Sequence, residues 1–134
     1  MTIKRLHKDD MPLSFGTFKP VGHLVVAMPD DAASTAAAIE LRSVGFADED
    51  ILQYTAAEEE NAMDRMLQHA SDLAGFGYEV SLMRRYQELA HEGASWLIVF
   101  APADDQAYKV ADTVKKHGAV MAEKYHRLAV EDLL

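Results

Sequence analysis

The acids of this chain come in pairs, and paired carboxylates can divide general acid and general base work between them. Asp30-Asp31 and Asp104-Asp105 each follow an apolar run and a proline. Both pairs also stand where a helix is predicted to begin. The partial positive charge of a helix N-terminus favours an acid there by about 0.3–1 kcal/mol, so capping accounts for both without catalysis. Asp48-Glu49-Asp50 falls in a predicted turn and lacks the alternating ligands and the glycine of a calcium loop. Glu58-Glu59-Glu60 reads as the first turn of a helix.

Histidine is the other reactive residue type, with six copies. His69, His91 and His117 each fall in the last turn of a predicted helix, where the helix C-terminus favours an imidazolium. No histidine pair has the i, i+4 spacing of a helical zinc site, and HExxH is missing. His23 and His126 lie in the first and last predicted strands, which are expected to be neighbours. If they meet near Tyr125, an acid–base or metal site is conceivable; the simpler reading is a pair of exposed edge histidines. There is no cysteine, which excludes a disulfide framework, a thiolate metal site and a cysteine nucleophile. No GxSxG elbow is present. No residue is assigned as catalytic, and no metal or cofactor is expected.

Gly75-Phe76-Gly77 is the one glycine-rich connector. It is preceded by a predicted helix rather than a strand, so it is not a dinucleotide fingerprint, and it lacks the GK[ST] of a P-loop. It reads as a flexible helix–helix joint anchored by Phe76. The alternative is a mobile lid or an anion contact at the start of the next helix, near Arg84 or Arg85. The residues expected to line a ligand site are therefore Tyr54, Gly75, Phe76, Gly77, Arg84, Tyr125 and His126.

The elements that must position these residues are written twice. His23 to Asp31 and Trp96 to Asp105 each give an apolar run, a proline and an acidic pair. Each is followed by a helical stretch, a glycine (Gly45, Gly118) and a second strand-like run. Strands are expected at 23–28, 51–55, 95–101 and 122–130, with helices over 32–44 and 106–117. Thr55-Ala56-Ala57-Glu58 is a capping-box pattern opening a helix to about Ala70, and 79–92 has apolar residues at helical spacing. The order is β-α-β, two inserted helices, β-α-β. Right-handed crossovers leave room for one strand between the strands of each unit. The two units therefore interleave into an α+β, ferredoxin-like domain with a four-stranded antiparallel sheet and helices on one face. Residues 1–20, broken by Pro12, Gly16 and Pro20, read as an extended arm, and 21–134 as one domain. The bare sheet face, with Tyr54 and Tyr125 on it, is expected to be covered by a second copy of the chain.

The net charge of −9 is unevenly spread. Residues 1–19 carry four basic and two acidic side chains, against nine basic and twenty acidic in the rest. An acidic body argues against binding nucleic acid, which needs cations to replace counterions. No apolar run reaches the roughly 20 residues of a membrane helix, and no signal-peptide pattern follows Lys4, Arg5 and Lys8. A cytoplasmic location is expected, with no nucleic acid or membrane partner.

Leu41-Arg42-Ser43-Val44-Gly45-Phe46-Ala47-Asp48-Glu49-Asp50-Ile51, after the first strand and an alanine-rich helix, resembles small bacterial heat-induced or general stress protein domains. Those show a strand, a helix ending in Gly-Phe, an acidic turn and an isoleucine that starts the next strand. The resemblance covers residues 23–55. It implies a compact α/β domain without established catalytic residues, so no site is carried over. The leading expectation is a non-enzymatic, stress-associated domain that self-associates, first as a homodimer. A small-ligand-sensing regulatory module is the alternative, with its cleft between the sheet face and the 71–77 connector. A cofactor-free enzyme is the third reading, using a ferredoxin-like dimer pocket with His126, Tyr125 or Tyr54 as acid–base groups.

Overall fold

A computed structural model describes residues 22–57, 77–126 and 130–134, with backbone only for 77–83. The chain runs β1 (His23–Met28), α1 (Asp31–Ser43), a 3-10 turn (Asp48–Asp50), β2 (Ile51–Tyr54), α2 (Gly77–His91), β3 (Ser95–Phe100), α3 (Asp104–Lys116), β4 (Met121–Tyr125) and β5 (Val130–Asp132). The fold is α+β, with one five-stranded antiparallel sheet in the order β2-β3-β1-β4-β5.

Each β-α-β unit skips one place in that order. β3 lies between β1 and β2, and β1 lies between β3 and β4. His23 to Met28 pairs with Phe100 to Ser95, and Leu24 to Ala27 pairs with Lys124 to Met121. The sheet differs from the four-stranded expectation by β5. The expected last strand, 122–130, is two: β4 ends at Tyr125 and the chain returns to pair Val130 with Tyr125, Glu131 with Lys124 and Asp132 with Glu123.

Alternation along each strand sends side chains to opposite faces. Leu24, Val26, Met28, Leu97, Val99 and Ala122 pack on one face against Ala37, Ala38 and Leu41 of α1 and Ala107, Val110 and Val114 of α3. The alanines let α1 sit close to the sheet. Asp30 caps α1, its carboxylate accepting from Ala33 N at 2.7 Å, as expected of an aspartate at that position. Asp31 instead accepts from Ala56 N at 3.0 Å, tying the start of α1 to the residues after β2. At α3 the N-cap is Ala103, whose N–H donates to the Gln106 side chain at 3.1 Å; Asp104 and Asp105 lie in the first turn and do not cap it, unlike Asp30 at α1. Glu40 joins the two helices, accepting from Lys116 and bonding His117 at 2.9 Å. These bonds hold its carboxyl below the usual range.

The second face is covered too, which corrects the expectation of helices on one side. Val25, Ala27, Tyr54, Trp96, Ile98, Met121 and Tyr125 pack there with Tyr86, Leu89 and Ala90 of α2. The inserted segment thus supplies part of the cover that a second copy was expected to give. Of its two expected helices, the second is α2. The first lies outside the described residues after 56–57, which are helical. The arm of residues 1–20 also lies outside them.

Candidate functional site

The second face gathers most of the reactive side chains of the sheet. Strand parity puts His23 with Val25 and Ala27, Phe100 with Trp96 and Ile98, and Glu123 with Met121 and Tyr125. The β1–β3 register sets His23 opposite Phe100, with ring centroids 4.9 Å apart. One step beyond the Leu24–Lys124 pair, the β1–β4 register brings His23 beside Tyr125.

Tyr86 ties this face together from α2. Its ring meets Trp96 edge-on at 5.2 Å, an arrangement that places the positive edge of one ring against the negative face of the other. Its hydroxyl lies 2.8 Å from that of Tyr125, and the bond is buried. Trp96 is on β3 and Tyr125 on β4, so the Tyr86 side chain crosses over β1, where Val25 and Ala27 leave room for it.

Glu123 stands on the same strand face between Met121 and Tyr125. It is 8% exposed, and its Oε2 is buried without a hydrogen-bond partner. Burial in an apolar setting disfavours the charged form. That raises the carboxyl, and the charge of Asp132 raises it further, to about 7. Trp96 Nε1 is a second buried atom without a partner on this face. Lys124 is the counterpart on the other face: it is 2% exposed, and its ammonium donates to Pro102 O at 3.0 Å and Asp104 Oδ1 at 3.3 Å.

The expected site residues divide. Tyr54 and Tyr125 share this face and its core cluster. His126 does not join them. Strand parity points it the other way, and its Nε2 lies 3.0 Å from Glu131 Oε1, with the side chain 40% exposed. His23 and His126 therefore face opposite sides of the sheet. Gly77 begins α2, Arg84 is exposed on it, and Gly75 and Phe76 lie outside the described residues.

Sequence reasoning passed over Glu123, Trp96 and Tyr86. Glu123-Lys124 looks like a solvated pair, although both residues are buried on opposite faces. The available signal was parity: Glu123 shares its face with Met121 and Tyr125. Among the described residues no cluster of three or more histidine, aspartate or glutamate side chains could hold a metal ion, and no helix is long and apolar enough to cross a membrane.

Comparison with family models, curated proteins and solved structures finds no match to this chain.

Proposed function

We propose that this chain is a small-molecule-binding domain whose site is the sheet face beneath α2, built on a ferredoxin-like core extended by β5. The interleaved order β2-β3-β1-β4 supports that reading of the core. The binding reading rests on one observation: two buried polar atoms on the same face, Glu123 Oε2 and Trp96 Nε1, have no hydrogen-bond partner. Each such atom costs about 1–3 kcal/mol, and native proteins carry few of them. An acceptor and a donor set among Tyr54, Tyr86, Tyr125 and Phe100 suit a small ring-bearing molecule. It would donate to Glu123 and accept from Trp96, in the mixed apolar and polar lining usual for ligand sites.

A thermal-shift screen of aromatic amines, amides and acids tests this. The expected result is a compound that raises Tm in proportion to RT ln(1 + [L]/Kd) and loses most of its effect in Glu123→Gln. A screen without such a compound counts against the proposal, as does a compound that acts equally on the variant.

A cofactor-free enzyme on the same face is the second reading. It is favoured by a carboxyl raised to about 7, poised both to take and to give a proton near neutrality. The acid–base group would then be Glu123 rather than His126. The self-associating, stress-associated reading remains a proposal with less support, because one of its two grounds, a bare sheet face, is gone where α2 packs; the other, the apolar arm of residues 1–20, lies outside the described residues. Native mass spectrometry tests it through subunit number.

A further inference from the structure

We propose that β5 is a pH-operated strap, paired to β4 while the Glu123 carboxyl is protonated and loosened when Glu123 ionises, because Asp132 stands directly opposite. The β4–β5 register pairs Glu123 with Asp132. Parity puts both on the α2 side of the sheet, and side chains directly opposite in an antiparallel pair have Cβ atoms about 4.5–5.5 Å apart. Like charges at that spacing oppose pairing. Asp132 is held in place, its Oδ1 accepting from Leu134 N at 3.0 Å. The strand it belongs to has three residues, so its ladder with β4 is short. Val130 anchors one side of β5 against the α2-side core, and Leu133 just beyond it packs on the other face. The Leu133 amide bonds Ala122 O at 3.0 Å.

Among the described residues, no cation stands at bonding distance from the Glu123 carboxyl. On β4 its neighbours on the same face are Met121 and Tyr125, and on β1 it faces Val25, with His23 one row further on. From α2 comes Tyr86, bonded to Tyr125 rather than to Glu123. On the opposite face lie Lys124, already bonded to Pro102 and Asp104, and the His126–Glu131 pair. That last pair also spans β4 to β5, which makes His126→Gln the control for its part in the pairing. The raised Glu123 carboxyl sets the transition near neutrality. Loosening β5 would uncover the β4 edge and let water reach Glu123, opening the α2-side face from that end. The strap operates whether or not a ligand binds there.

Amide hydrogen exchange between pH 5.5 and 8.5 tests this, with each rate divided by the intrinsic rate at that pH. In the wild type, protection of the Leu133 amide and the β4–β5 ladder should fall at least tenfold across the range. Protection of the β1–β3 ladder should hold steady. In Glu123→Gln the fall should vanish, and in His126→Gln it should persist. Asp132→Asn, at an exposed position, should shrink the fall and serves if Glu123→Gln does not fold. Equal protection at both ends of the range in the wild type would overturn the proposal. So would a fall that survives Glu123→Gln or Asp132→Asn unchanged, or one abolished by His126→Gln.

Discussion

Glu123 stands out among the described residues because its strand position forces a carboxyl into an apolar face. Its folded value of about 7 lies above the ordinary 4.5. Between those values the folded chain keeps a proton that the unfolded chain has lost. The stability from this group is therefore fully present below 4.5, declines as pH rises and is gone above about 7, a span of at most roughly 3 kcal/mol. Urea unfolding at pH 5 and pH 8 should show that decline in the wild type, and Glu123→Gln should flatten it. The two tyrosines make a separate prediction. Tyr125→Phe removes the buried bond between the two hydroxyls and should cost about 0.5–1.5 kcal/mol. Adding Tyr86→Phe should cost less than a second such loss, because the pair is then absent together. Chemical denaturation of the four proteins in the cycle measures that coupling.

At the scale of elements, α2 covers the second sheet face, and Tyr86 packs there with Leu89 and Ala90. Tyr86→Ala should cost about 3–5 kcal/mol and shift Trp96 emission to the red as water reaches the indole. Gly118, which follows α3, has φ +88°, and an added Cβ would meet only Pro29 Cγ at 3.6 Å, an ordinary contact. The cost of Gly118→Ala should therefore come from backbone strain alone, about 1–2 kcal/mol. A melt of that variant should show lower stability with the same fold by circular dichroism. Much at this scale was legible beforehand. The apolar run 23–28 marked β1 to the residue, and the repeated strand, acid pair, helix and glycine marked both β-α-β units. The second cover was also written in the chain and was misread. His23 to Met28 and Trp96 to Phe100 are apolar without alternation, the pattern of strands buried on both faces, whereas a bare face calls for polar residues at every second position. β5 was not legible, because Val130-Glu131-Asp132 is short and acidic and owes its pairing to a tertiary neighbour.

For the whole molecule, an unusual asymmetry follows from this arrangement. The face under α1 and α3 is an aliphatic core of leucine, valine and alanine. The face under α2 is aromatic and holds a buried carboxyl. Stability alone does not call for a glutamate there, since an apolar residue of similar size would avoid its burial cost. Of the expected ligand set, Tyr54 and Tyr125 belong to this face, but the residues that give it chemical character were hidden by a pattern of local polarity. Register and parity across four strands bring these residues to one face, and no single stretch of sequence carries either.

The chain has one tryptophan, Trp96, and it lies on this face. The measurement that most directly decides whether the face binds ligands is a titration of Trp96 fluorescence with small aromatic amines and amides, tryptamine and benzamide among them, followed in the wild type and in Glu123→Gln. A binding site beneath α2 requires a saturable change in Trp96 emission that the variant weakens at least tenfold in Kd. Emission that stays constant to millimolar ligand, or changes identically in both proteins, would contradict it.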